Sequence, residues 1–119
     1  MSEKIMSFRD LRIWQKSMEL VEKVYSVTDP FPKAEIFGLV SQMRRSAVSI
    51  PSNISEGFRR KHSKEYKQFL SIALGSCGEL ETQIEIACRL KFISKEIYQD
   101  LIARLDYICR MIQTLLKKL

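Results

Sequence analysis

The side chains that could carry out catalysis or bind a metal are few and widely separated in this sequence. The single histidine, His62, lies in a run of basic residues, with no serine or carboxylate in an evident relay around it. The three cysteines, Cys77, Cys88 and Cys109, lack the C-x-x-C spacing of a zinc site. One histidine also cannot supply the two Glu-x-x-His motifs of a di-iron bundle. We therefore predict a protein that is not an enzyme and that needs no metal or cofactor.

The sequence signals for compartment and membrane insertion agree with one another. An odd number of widely spaced cysteines is typical of reduced thiols rather than of a secreted disulfide framework. The first residues carry no apolar core of a signal peptide, and no apolar run approaches the roughly 20 residues that span a bilayer. These observations predict a cytoplasmic protein with no membrane-spanning part.

The charge of the chain favours a polyanionic partner. The net charge is +6, and the segment from Arg59 to Lys67 holds five basic residues and one acidic residue. Clustered basic side chains attract nucleic-acid phosphates through counterion release, although a charged run is often only a solvated surface. The candidate nucleic-acid-binding residues are Arg44, Arg45, Arg59, Arg60, Lys61, Lys64 and Lys67.

The roles of Arg44 and Arg45 stay open at this point. They form a basic pair in the middle of a predicted helix, where they could contact nucleic acid. They could equally pair with Glu56, Glu79 or Glu81 on neighbouring helices and so be structural.

The elements that must position these residues are helical. Four glycines and three prolines are too few for the frequent turns of a β-fold. Four segments with helical periodicity follow one another, from Ser7 to about Thr28, from Ile36 to Gly57, from Ser63 to about Leu90, and from Ser94 to Leu119. Their short connections predict an all-α, up-down antiparallel four-helix bundle that forms one domain over residues 1–119.

Each predicted helix carries an apolar stripe that should face the core. The stripe passes through Pro51 in the second helix without losing phase, so we predict one helix kinked at that residue and stopped by Gly57. The predicted core positions are Leu11, Trp14, Met18, Val21 and Tyr25 in the first helix, Ile36, Val40, Met43, Ala47, Ile50 and Ile54 in the second, Tyr66, Phe69, Leu70, Ala73, Cys77, Leu80 and Ile84 in the third, and Ile97, Leu101, Leu105, Ile108, Ile112, Leu115 and Leu119 in the fourth.

Further apolar or small residues lie away from these stripes and indicate self-association. Ile13, Leu20 and Val27 repeat at seven-residue spacing on the first helix, and two glycines lie close together inside the third. Glycine in a helix costs about 1 kcal/mol relative to alanine, so its use suggests that another backbone approaches. The candidate oligomer interface consists of Ile13, Leu20, Val27, Phe37, Val48, Gly75 and Gly78.

Several motifs are similar to those of a known family. Phe8-Arg9-Asp10-Leu11 with Trp14-Gln15-Lys16, the run from Gln42 to Gly57 with its Ser-Ile-Pro-Ser-Asn-Ile core, and Gly75-Ser76-x-x-Glu79-Leu80-Glu81 resemble the bacterial 23S rRNA-intervening-sequence proteins. A related branch is formed by the accessory variability proteins of diversity-generating retroelements. The resemblance covers almost the whole chain.

This resemblance implies an up-down bundle that assembles as a homopentamer around a central channel. It implies nucleic acid as a ligand, a reverse transcriptase as a candidate protein partner, and no catalytic residues. Two functions therefore remain open. The chain is either an oligomer that contacts RNA, another nucleic acid or an RNA–protein complex through basic surface residues, or an oligomeric scaffold that binds a protein and has no nucleic-acid role.

Overall fold

The computed structural model describes residues 5–119, and in this part of the chain it contains helices and no strands. A 3₁₀ turn at Phe8–Asp10 precedes the first long helix. A second 3₁₀ turn at Lys33–Glu35 and a π-helical turn at Ile36–Val40 lead into the next one. The four long helices are α1 (Arg12–Thr28), α2 (Ser41–Phe58), α3 (Ser63–Arg89) and α4 (Lys95–Lys118).

The helices form an up-down bundle, as predicted. Each helix packs against the next one in the chain, α1 also packs against α4, and α2 and α3 share the most extensive contact. The antiparallel arrangement of α1 and α4 is visible in their side chains. Lys23 lies 4.0 Å from Asp100, whereas Arg12, earlier in α1, lines a groove with Tyr107, later in α4. The bundle measures about 46 × 27 × 20 Å.

Local capping interactions fix where α3 and α4 meet. The Ser94 hydroxyl accepts a hydrogen bond from the backbone N–H of Ile97 at 3.1 Å and begins α4, as predicted. The α3 helix ends in a Schellman motif, in which Lys91 adopts φ 64° and the N–H of Phe92 donates to the carbonyl of Ala87 at 2.9 Å. The predicted N-cap of α3 was wrong by one residue, because Ser63 is already helical and His62 takes the extended cap conformation.

The chain enters α2 through an irregular turn. Gly38 has non-helical φ and ψ of −108° and −112°, and the π-helical turn around it leaves Ile36 49% exposed, although Ile36 was predicted to face the core. Further along, α2 includes Pro51, and the Asn53 side chain donates to the carbonyl of Ser49 at 2.8 Å. This side-chain bond lies next to the proline, and the kink itself stays a prediction.

Gly57 does not stop α2, contrary to the prediction. It is buried one residue before the end of the helix, where a Cβ atom would lie 2.9 Å from Cβ of Phe69 and 2.9 Å from Cδ1 of Tyr66. Because real Cβ atoms essentially never come so close to another heavy atom, the missing side chain is what lets α2 and α3 approach at this end.

The core stripes predicted for α3 and α4 are confirmed, but the face assigned to α1 was wrong. Met18 and Tyr25, predicted to be inside, are 38% and 43% exposed, whereas Leu20 and Val24 are fully buried. Polar residues obscured the true inner face. Ser17 is buried with its hydroxyl donating to the carbonyl of Ile13 at 2.6 Å, so it needs no partner outside its own helix.

Candidate functional site

The bundle topology gathers the basic residues at one end. The half formed by residues 5–20, 50–76 and 107–119 contains eleven basic and four acidic residues, a formal side-chain charge of +7. The opposite half, residues 21–49 and 77–106, contains eight basic and nine acidic residues, a charge of −1. We call the first half the basic pole. It arises because the chain reverses at each connection, which brings segments distant in sequence to the same end.

An aromatic ring sits among the basic side chains of this pole. The guanidinium of Arg9 lies 4.6 Å from the centre of the Phe8 ring, and that of Arg59 lies 5.4 Å from it. The Phe8 ring in turn packs edge-on against Trp14 at 5.3 Å. A capping box between Ser7 and Asp10 holds the short turn that carries Phe8. Cations stacked on a fixed ring lose less freedom when they bind an anion than free side chains do.

The remaining members of the predicted cluster differ in how firmly they are held. Arg60 forms an ion pair with Glu56 at 3.1 Å and lies 5.0 Å from the ring centre of Phe69. Three further residues of the cluster are exposed, and none of their ammonium groups forms an ion pair within the described part of the chain. These three are Lys61, Lys64 and Lys67. The structure therefore brings the whole predicted 59–67 cluster to one exposed surface.

The Arg44 side chain makes contacts within the bundle. Its Nε donates to the hydroxyl of Thr28 at 3.0 Å, and its guanidinium stacks 4.5 Å from the ring centre of Tyr25. These contacts join α2 to the end of α1. These partners differ from the carboxylates considered as alternatives, because Arg44 contacts α1 and Glu56 pairs with Arg60.

Arg45 has a different environment on the next position of α2. Its exposed side chain lines a polar groove between α2 and α3, with a volume of about 530 Å³. We call this the α2–α3 groove. It is lined by Phe37, Ser41, Gln42, Arg45, Ser46, Ser49, Ser76, Glu79 and Gln83. Both Arg45 and Glu79 lack an ion pair within residues 5–119.

One buried polar atom in this groove has no partner. Gln83 is 8% exposed, and its Oε1 accepts no hydrogen bond from the part of the chain that the structure describes. By contrast, the hydroxyls of Ser49 and Ser76 bridge the two helices at 2.7 Å. A buried acceptor without a hydrogen bond lowers the free energy of unfolding by about 1–3 kcal/mol. Gln83 therefore carries an unfavourable, unpaired oxygen in this groove.

An apolar surface adjoins the groove at the start of α2. Phe37 is 96% exposed, and Tyr25, Ile36 and Val48 are each at least 40% exposed around a second cavity of about 880 Å³. An almost fully exposed phenylalanine beside other exposed apolar side chains is typical of a surface that another molecule covers.

The predicted oligomer interface divides into two groups in the structure. Ile13, Leu20 and Val27 are at most 8% exposed and belong to the core, so their assignment to an outer surface was wrong. The other members, Phe37, Val48, Gly75 and Gly78, are exposed. A Cβ atom at either glycine would meet nothing within 4 Å, which leaves room on α3 for another backbone.

The cysteines are three free thiols. A hydrogen bond with Cys109 and burial raise the pKa of the Cys77 thiol, so it stays protonated. Within residues 5–119, no group of three or more histidine, cysteine and carboxylate side chains could hold a metal ion. None of the helices described there is long and apolar enough to cross a bilayer.

Two features of the candidate sites could not be recognised from the sequence. Gln83 lies beside the predicted core stripe of α3, and only the tertiary structure reveals that its Oε1 atom is enclosed without a partner in the described part of the chain. The sequence shows that Phe8 lies next to Arg9. It does not show the contact between Phe8 and Arg59, because these residues are about fifty positions apart in the chain.

Taken together, the fold and surface define a basic, all-α four-helix bundle whose candidate sites are a charged pole and a polar groove. The family model of the 23S rRNA-intervening sequence proteins matches residues 9–114, and the chain belongs to that family. A solved structure of a protein of unknown function from the S23 ribosomal protein family of Bacteroides thetaiotaomicron has the same fold. It superposes with a TM-score of 0.80, is 24% identical, and the match covers 88% of this chain and 98% of that one. The comparison with curated proteins gives no match.

Proposed function

We propose that this chain is a non-enzymatic cytoplasmic protein that assembles as a homo-oligomer and binds RNA through its basic pole. The observation that carries the proposal is the segregation of charge, +7 in one half of the bundle and −1 in the other. A charge separated in this way creates a directional field toward a polyanion, whereas evenly scattered charges would only favour solubility. The family name, which refers to 23S rRNA, is consistent with an RNA ligand.

The pole has the features of a surface that reads backbone and shape rather than sequence. Its cations include exposed lysines and ring-stacked arginines, and it presents no recognition helix positioned by a known DNA-binding motif. Single-stranded or structured RNA offers both phosphates and unstacked bases to such a surface. The half-buried ring of Phe8 lies between Arg9 and Arg59, where an unpaired base could stack beside them.

Self-association would multiply this interaction. An oligomer presents one pole per subunit, so a single RNA could engage several poles at once with high avidity. The family resemblance implies five subunits, and pentamer formation is part of the proposal. The residues that we assign to the subunit contact are Phe37, Val48, Gly75 and Gly78.

The proposal is tested by fluorescence anisotropy with a structured RNA over a salt series. Replacing Arg59, Arg60 and Lys61 together by alanine should weaken binding and reduce the slope of log affinity against log salt by about 2–3, since each lost phosphate contact contributes about 0.7–0.9. A matched variant with Lys33, Arg89 and Lys95 replaced by alanine removes the same charge from the opposite half and should bind like the wild type.

Equal losses in the two triple variants would show that net charge, not the pole, drives binding. The absence of RNA binding by the wild type near about 50 mM salt would favour the second candidate function, a scaffold for a protein partner. The observation that favours this alternative is the apolar surface around Phe37. A reverse transcriptase is the partner that the family resemblance implies for either function.

A further inference from the structure

We propose that a cleft between α1 and α2 binds an unpaired nucleobase, so that the basic pole recognises RNA with unpaired nucleotides. This inference rests on the proposed function and adds to it a binding site and the class of RNA. We call the site the α1–α2 cleft. Its volume is about 360 Å³, and the residues that line it include Phe8, Arg9, Trp14, Pro51, Ser52 and Ser55.

Two aromatic rings held in fixed positions line the cleft. The rings of Phe8 and Trp14 are half-buried and meet edge-on at 5.3 Å. The turn that carries Phe8 is held by its capping box and by the Gln15 side chain, which donates to the carbonyl of Arg9 at 2.9 Å. Every base has a π-face that stacks on such rings, and rings that are already fixed lose little conformational entropy when a base binds.

The cleft differs from the neighbouring cavities in its charge. The α2–α3 groove includes Glu79, the cavity at the start of α2 includes Asp29, and a groove between α1 and α4 includes Glu19. Among the residues that the structure describes, no carboxylate lines the α1–α2 cleft. A phosphate that follows its base to this cleft therefore meets no like charge from the lining residues, in contrast to the other three cavities.

Two cations lie where the backbone of such a nucleotide would pass. Arg9 lines the cleft, and the guanidinium groups of Arg9 and Arg59 lie 4.6 Å and 5.4 Å from the centre of the Phe8 ring. Val48, which we assign to the subunit contact, also lines the cleft, so the base would enter beside Phe8. A nucleotide in this position has its base on the rings and its phosphate near both guanidinium groups.

The size and polarity of the cleft suit a single base. Pockets for small ligands are mostly apolar with a few polar groups and have volumes of about 300–1,000 Å³, so this cleft lies at the small end. The hydroxyls of Ser52 and Ser55 donate to carbonyls of their own helix at 2.8 Å and 3.0 Å. Their oxygens keep lone pairs for the N–H groups of a base edge. In a duplex those groups are paired and the base faces are stacked, so only an unpaired base would fill the cleft.

The test uses the single tryptophan of the chain as an internal probe. An RNA strand of about 12 nucleotides, within the range of site sizes of single-strand-binding proteins, is titrated alone and annealed to its complement. The single strand should quench the fluorescence of Trp14, whereas the duplex, which reaches the pole only through its phosphates, should leave it nearly unchanged. The duplex titration, made at matched RNA absorbance, also controls for absorption of the exciting light.

The first variant removes the stacking ring and keeps the charge. Phe8→Leu should weaken binding of the single strand at least about fivefold, because a stacked base contributes about that factor or more. It should leave the slope of log affinity against log salt unchanged, since no phosphate contact is lost. Phe8→Tyr keeps a ring and should bind like the wild type. Phe92→Leu is the matched control, because Phe92 is a half-buried ring in the opposite half, packed on Phe31 at 5.3 Å.

The second variant fills the cleft and leaves its rings in place. Ser52→Leu, at an exposed position of α2, should weaken single-strand binding and abolish the quenching of Trp14. Thr114→Leu on α4 is its control and should bind like the wild type. The two positions match because each is exposed and each hydroxyl donates to the carbonyl four residues earlier in its helix. Circular dichroism verifies that each variant is folded.

The outcomes separate this inference from the proposed function. The inference is overturned if the single strand and the duplex change Trp14 fluorescence equally, or if either folded cleft variant binds the single strand like the wild type. RNA binding that depends on salt and on the cations of the basic pole would stand after that result. The absence of binding to both RNAs near about 50 mM salt overturns the RNA-binding function and this inference together.

Discussion

Replacing Gln83 by methionine should stabilise the bundle against unfolding. Methionine has a similar length and volume but no amide, so it removes the buried acceptor that has no donor within the described part of the chain. The unpaired acceptor costs about 1–3 kcal/mol. We therefore expect the free energy of unfolding of the dilute protein to rise by about 1 kcal/mol.

Urea denaturation at low protein concentration measures this change. Gln113→Met on the exposed surface of α4 is the matched control and should leave the free energy of unfolding unchanged. The reasoning is refuted if Gln83→Met destabilises the dilute protein by more than about 1 kcal/mol, since Gln83 would then be hydrogen-bonded within its own chain in solution.

Three further predictions test the structural assignments. Gly57→Ala should lower the free energy of unfolding by about 1–2 kcal/mol, because overpacking against α3 outweighs the gain in helix propensity. Gly75→Ala, measured at a dilution that gives monomers, should instead raise it by up to about 1 kcal/mol. A Gly57→Ala variant as stable as the wild type in urea denaturation would contradict the close approach of α2 and α3. Arg44→Ala should lower stability by about 1 kcal/mol through its lost contacts to α1 and leave RNA affinity unchanged, and a large loss of affinity in anisotropy would show that it binds RNA after all. Alkylation at about pH 8, near the ordinary thiol pKa, should modify the half-buried Cys88 before the buried Cys77, whose pKa is raised. Mass spectrometry measures the two rates, and equal rates in the native protein would contradict the burial of Cys77.

The fold could be predicted from the sequence because most of its helices carry one dominant apolar stripe. The stripes of α3 and α4 correspond to residues that are buried or half-buried in the structure. In α1 two stripes compete, and periodicity alone cannot rank them. The face with Trp14 looked the more apolar because the true inner face includes Ser17 and Thr28, whose hydroxyls bond to carbonyls of their own helix.

The candidate sites were predictable only in part. The charged run after Arg59 was recognised from composition, and the up-down topology explains why it joins Arg9 and the basic C-terminal end of α4. The role of Gly57 and the unpaired amide of Gln83 depend on distances between helices, which a sequence pattern does not contain. For the same reason Arg44 and Arg45 could not be separated, although they lie side by side and have different surroundings.

Cross-linking of RNA to the wild-type protein, with the modified residues located by mass spectrometry, is the most direct test of the central claim. The basic pole as the RNA-binding surface predicts cross-links at Phe8 and within residues 59–67, and few or none around the connection between α3 and α4 at residues 89–95. Cross-links concentrated at the α3–α4 connection, or spread evenly over both halves of the bundle, would contradict it.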